Sequence, residues 1–222
     1  MTIRRYLSDD RAPWTPTPKG TYTGGTTGFI CLKTGLPNSR QMAMSRVDTS
    51  TNITWNMLHV LFMIEIEESG SMAVNDTAQF WHGRKADATS AFKGYLGQVW
   101  LSQGQTNTLR GTVLATAAVG GSTWATTAEQ TNVGATRLTG TGPTALTKGD
   151  WLIAEVGSEG ITSSATAHTA DLLYGGMAAP DISGVQSLAL PGDSMMWVDI
   201  TGSWESCFHR LPKVGTPTLM AA

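Results

Sequence analysis

Four histidines, a cluster of three glutamates and eight tryptophans are the side chains of this chain that could carry chemistry. His59, His82, His168 and His209 stand alone: none has a second histidine two or four residues away, the spacing that places two imidazoles around one metal ion. A single imidazole in an apolar stretch is more often packed than catalytic. Glu65 and Glu67 would share one face of a strand, where a carboxylate pair could hold a cation or cleave a glycosidic bond. Catalytic carboxylates, however, usually face each other across a cleft from different strands. Glu65, Glu67 and Glu68 fall where a strand runs into a loop, so a solvated strand end is the stronger reading. A cell-wall hydrolase using Glu65 or Glu67 is the weakest. Gly157-Ser158-Glu159-Gly160 has only the outline of a nucleophile elbow, and no phosphate-cradling glycine loop occurs. The sequence predicts no catalytic residue, no metal site and no cofactor.

The tryptophans offer a different function. Trp81, Trp100, Trp124 and Trp197, if exposed on a sheet, could stack on sugar rings, but aromatic residues also dominate cores and subunit interfaces. The second use is the favoured one. Cys31 and Cys207 lie far apart and could pair only if the first and last strands were neighbours. Without C-x-x-C spacing they read as reduced thiols, as in a cytoplasm.

The elements that must position these groups are short strands. Residues 53–66 show the clearest pattern: Leu58, Val60, Phe62, Ile64 and Ile66 alternate on one face. The other face carries Trp55, Met57, His59, Leu61, Met63 and Glu65, still mostly apolar where a face open to solvent should be polar. A loop, a second sheet or another subunit must cover it. Strands are also expected over 91–102, 109–116, 147–157, 165–174 and 195–201, with Leu152, Ala154 and Val156 pointing inward and Glu155 outward. Residues 117–133 around Trp124 read as a loop or edge, and 67–90 as a loop-rich insertion. Turn signals recur every 10 to 20 residues and no long 3.6-residue stripe appears. The fold class is therefore all-β, a jelly-roll-like antiparallel β-sandwich over 29–205.

Both ends look extended. Residues 1–28 hold Pro13, Pro16 and Pro18, which lack amide donors and keep their neighbours extended. Tyr6, Trp14 and Tyr22 would anchor this N-terminal arm on the domain or on a neighbour. Residues 206–222 read as a second tail. At 222 residues the chain can bury a core without staples, and charged residues are only 14% of it. Hydroxyls supply most of its polarity, and they cost far less to bury than charges, which suits packing between subunits. A formal charge of −2 gives no basic stripe for nucleic acid. The start MTIRRYLSDD has no apolar h-region, and Met57–Ile66 is too short to span a bilayer.

Arg5-Tyr6-Leu7-Ser8, Ala12-Pro13-Trp14-Thr15-Pro16 and Gly20-Thr21-Tyr22 open the chain; Leu109-Arg110-Gly111-Thr112-Val113-Leu114 follows. Lys148-Gly149-Asp150-Trp151-Leu152-Ile153-Ala154-Glu155-Val156-Gly157 and Leu172-Leu173-Tyr174-Gly175 come later. In that order they resemble a loose group of tailed-bacteriophage virion proteins, structural or minor capsid or tail components. The resemblance spans most of the chain but leaves 67–90 and 202–222 uncovered. It implies a jelly-roll-like subunit of a particle with no catalytic residues, built in the host cytoplasm and carried in the virion. The expected protein is an accessory capsid or tail component of decoration, cement or collar type. Its partners would be itself, as a homo-oligomer such as a trimer, and major capsid, neck or tail proteins. Tyr6, Trp14, Tyr22, Trp55, Met57, Leu61 and Met63 are the expected assembly contacts. The alternative is an adsorption module binding host-surface glycan.

Overall fold

The computed structural model describes residues 2–23, 29–35, 41–48, 55–89, 91–114, 118–120, 123–127, 129–132, 144–161, 166–175 and 197–208. Its strands are β1 (Thr2–Arg11), β2 (Ile30–Gly35), β3 (Gln41–Asp48), β4 (Trp55–Glu65), β5 (Gly70–Met72), β6 (Thr77–Ala86) and β7 (Phe92–Ser102). Then come β8 (Ala118–Gly120), β9 (Glu129–Asn132), β10 (Thr144–Leu146), β11 (Trp151–Gly160), β12 (His168–Gly175) and β13 (Trp197–Thr201). The one helical element among the described residues is a 3-10 turn, Ser203–Cys207. The fold is all-β and sandwich-like.

One large sheet runs β3-β12-β6-β13-β1-β2-β4-β11-β7-β8, with β9 added on β6. Strands β10 and β5 form a small second sheet. Every pair in the large sheet is antiparallel except β2 with β4. The sheet folds over itself: Phe62, Ile64, Val99 and Leu152 from one half share a core with Leu7, Phe80, Leu172 and Val198 from the other. Alternate side chains of β4 point the opposite way. Leu61 and Met63 join Leu58, Trp100, Trp151 and Ile153 in a second cluster on the outer face. That face is covered by the chain's own Trp14, Tyr22 and Phe29. No second subunit is needed there.

Four features differ from the sequence reading. First, Thr2–Arg11 is not an extended arm anchored by its aromatics on a finished domain or a neighbour but a central strand, hydrogen-bonded to β13 on one side and β2 on the other. Its alternation is disguised by Arg5, which is buried and paired with Glu67 at 3.2 Å. Second, residues 77–86, expected within a loop-rich insertion, form a ten-residue strand whose inward positions include His82 and Arg84 beside Ala78, Phe80 and Ala86. Third, 109–114 contributes a single bridge, Ser102 to Leu109, and not a strand. Fourth, the register between β11 and β4 shifts between Val156 and Gly157, leaving His59 as the extra residue. Leu58 is thereby turned to the cluster of Leu61 and Met63, while Met57 and Trp55 pack with Phe92 and Trp124 in a third cluster. Gly157 makes the bulge possible, because a Cβ there would overlap the Met57 carbonyl. The C-terminal tail beyond Phe208 lies outside the described residues.

Candidate functional site

Residues 12–23 lie across the outer face of β4, β7 and β11, and the group that holds them is Glu155. This residue, expected to point to solvent, does leave the core side of β11, but the face it reaches is covered and it is fully buried. It stands opposite a second irregularity, where the β11–β7 register shifts between Ala154 and Val156. One carboxylate oxygen accepts from the Lys19 amide at 2.6 Å and the Trp100 indole nitrogen at 2.9 Å. The other accepts from the Gly20 amide at 2.8 Å and the Tyr22 hydroxyl at 2.6 Å. Burial, reinforced by this carboxylate, pushes the Tyr22 hydroxyl's pKa far above its usual value. Two glycines make the room: a Cβ on Gly20 or on Gly97 would collide with the Tyr22 hydroxyl and Glu155. The Lys19 ammonium sits over the Trp100 ring, 5.2 Å from its centroid. Further along, the Tyr95 hydroxyl donates to the Thr21 carbonyl, and the Thr23 amide to that of Asn56.

The docked segment alternates. Trp14, Pro16, Gly20 and Tyr22 turn toward the sheet, while Arg11, Pro13, Thr15, Thr17, Thr21 and Thr23 are exposed. The outer surface is thus a ridge of threonine hydroxyls and the Pro13 ring with Arg11 at its start, laid on the sheet.

The residues expected to contact other subunits are distributed differently. Met57, Leu61 and Met63 are fully buried within this chain, so they are internal packing residues and offer no surface to a neighbour. Trp14, Tyr22 and Trp55 are half-buried against the chain's own clusters, and Tyr6 is half-buried in β1, opposite Gly35 and Trp197. None of the eight tryptophans is exposed; Trp100, Trp124 and Trp197 are wholly buried, and Trp81 stacks on Trp197 at 5.4 Å. That removes the platform on which a glycan-stacking reading stood.

The acidic cluster is a strand end, as read. Glu65 is exposed, Glu67 meets Arg5 and Glu68 meets Lys148. Cys31 and Cys207 are both free and pack in different clusters. Burial raises the Cys31 thiol to about 11 and raises Cys207 as well, so neither is a ready nucleophile. Among the described residues no group of three or more His, Cys, Asp or Glu could hold a metal, and no helix is long and apolar enough to cross a membrane. His168 faces Asp87 at 3.2 Å, and His209 lies outside the described residues.

Two histidines that the sequence left as isolated meet inside the fold. His59 and His82 are both fully buried and flank the Trp124 ring, at 6.3 and 6.2 Å between centroids. His59 Nδ1 donates to the Met44 carbonyl at 2.9 Å, which fixes the tautomer and leaves Nε2 to accept from the Ser158 hydroxyl at 2.9 Å. Among the described residues, neither nitrogen of His82 nor the indole nitrogen of Trp124 has a hydrogen-bond partner. Burial, the largest cause, lowers both imidazoles to about 3, helped by Arg46 on His59 and by Arg84 on His82. Spacing could not have revealed this pair, because 23 residues separate them in sequence and β4 and β6 are not neighbours in the sheet.

Compared with known proteins, the chain matches no family model and no curated sequence.

Proposed function

We propose that this chain is a non-enzymatic structural subunit of a tailed-bacteriophage virion, an accessory capsid or tail component that assembles with copies of itself. The observation that carries this reading is the ridge of Pro13, Thr15, Thr17, Thr21 and Thr23, clamped on the sheet by Glu155. Ordering an extended segment costs roughly 1–2 kcal/mol per residue of chain entropy. Here that cost is already met within the folded chain, so a partner binding the ridge meets a rigid surface and loses little further entropy. The ridge is hydroxylic and nearly uncharged, which keeps its desolvation cheap. The order of sequence motifs that resemble phage virion proteins supports the same reading.

Assembly through the N-terminal segment would then use its outward residues, not Trp14 or Tyr22. The test is mass photometry of the full-length protein beside a Thr15→Arg/Thr17→Arg/Thr21→Arg variant. A defined oligomer that the variant reduces to monomer, at unchanged Tm, supports the reading. A wild-type protein that stays monomeric alone and fails to bind purified particles overturns it.

A further inference from the structure

The docked segment is tied to a second exposed element. The Thr17 amide donates to Asn107 Oδ1 at 2.6 Å, which joins the middle of the ridge to the turn that follows β7. That turn is braced from within. The Gln103 amide donates to the Thr108 carbonyl at 2.9 Å, and the Gln103 side-chain amide to the Leu109 carbonyl at 2.8 Å. The Thr106 hydroxyl donates to the Gln103 carbonyl at 2.7 Å, and the Ser102 hydroxyl to that of Gly104 at 2.6 Å. Its base rests on Asp150, a buried carboxylate that accepts from the Gly104 amide at 2.9 Å, the Thr147 amide at 3.2 Å and the Arg110 guanidinium at 3.0 Å. So braced, the turn has little left to order when a partner meets it.

Chemistry and size both link the turn to the ridge. Gln103, Gln105, Thr106, Asn107, Thr108 and Thr112 are exposed, and none of them is charged. Arg110, the cation at the base, is half-buried and paired with Asp150. The ridge alone has six exposed residues, whereas a stable contact takes roughly 20–30 residues a side. The span 103–112 adds seven more and brings the continuous patch nearer that size. Hydroxyls and carboxamides each donate and accept, so a surface made of them can pair with an identical surface. In a two-fold contact both subunits present the same patch, and a patch of one charge sign would repel its own copy.

We infer that the assembly surface is composite, the ridge over 13–23 together with the turn over 103–112, and that its occupant is the same patch on a second copy of this chain, related by a two-fold axis. This rests on the reading of the ridge as an assembly surface and extends it, since the turn becomes part of the contact and the symmetry of the contact is fixed.

Sedimentation velocity of the full-length protein in 0.1 M sodium chloride tests this, beside Thr17→Glu/Gln105→Glu and Thr17→Lys/Gln105→Lys. Both positions are exposed, and neither side chain takes part in the bonds that brace the turn. Each variant should raise the dissociation constant at least about tenfold at unchanged Tm, because like charges are brought together across the contact. An equimolar mixture of the two should recover the wild-type association, since opposite charges then meet. Gln105→Glu alone should give a smaller loss in the same direction. If it gives none while Thr15→Arg/Thr17→Arg/Thr21→Arg still dissociates the oligomer, the turn is outside the contact, and this inference fails while the ridge reading stands. A mixture that does not recover overturns the two-fold self-contact. A monomeric wild type overturns the inference as well, and the ridge reading falls with it only if purified particles are not bound either.

Discussion

An ionised carboxylate can only accept, and Glu155 is surrounded by four donors: two backbone amides, a hydroxyl and an indole nitrogen. That match lets a buried charge hold 12–23 in place. Glu155→Gln replaces one oxygen with an amide NH2, which must face at least one of these donors wherever it turns. We expect a loss of about 2 kcal/mol or more, read as a lower urea midpoint at unchanged m. Tyr22→Phe should cost about 1.5–3 kcal/mol through the lost bond to a charged acceptor. Made together, the two should cost less than their sum, since both break one contact. Gly97→Ala tests the same site from the opposite side. Its methyl occupies the Tyr22 hydroxyl's place, so the segment must lift or the strand must shift, at about 1–3 kcal/mol. Trp14→Ala, which would look like a pure contact change on a free arm, should also lower stability, because Trp14 packs on the outer cluster.

At the scale of elements, β1 joins the two halves of the sheet. It separates β13 from β2, sends Ile3 and Leu7 inward and fixes its register with an Arg4–Asp199 ion pair of 2.8 Å. Leu7→Ala should therefore cost about 2–5 kcal/mol, the range for a buried leucine; a free arm would register almost nothing. Removing residues 1–22 would open two strand edges and should give aggregation in place of a clean monomer. Much of the strand content was legible in the sequence. Period-two alternation marked β4, and the apolar runs before and after Gly/Asp turns marked β7, β11 and β13. What hid β1 and β6 was the same physics in both: buried Arg5, His82 and Arg84 occupy positions that a reader of hydrophobic pattern assigns to the surface. The Glu155 site was illegible for another reason. Residue 155 was correctly placed on the non-core face, but that the face would be covered by residues 12–23 is a tertiary fact. Bulges leave no such trace either, so the parity change that separates Leu58 from Met57 emerges only from the register.

At the scale of the whole molecule, electrostatics and assembly are separable. The chain carries a formal charge of −2 with only 14% ionisable residues of the Asp, Glu, Lys and Arg types. Several of those charges are taken up internally, as in Arg4–Asp199, Arg5–Glu67 and Arg110–Asp150. The ridge over 13–23 offers threonine hydroxyls, the Pro13 ring and one half-buried ammonium, Lys19, already engaged with Trp100. Self-association through such a surface gains little from long-range attraction and loses little to screening. At 0.1 M salt the Debye length is about 10 Å and at 1 M about 3 Å. An interface built on ion pairs weakens across that span, whereas one built on apolar and hydroxyl contact holds or tightens. The oligomer distribution by mass photometry is therefore expected to stay constant, or to move toward the larger species, as sodium chloride rises from 0.1 to 1 M, with sodium sulfate acting more strongly in the same direction. Dissociation by salt would mean that charged residues away from the ridge make the interface, and Thr15, Thr17 and Thr21 would lose their assigned part in it.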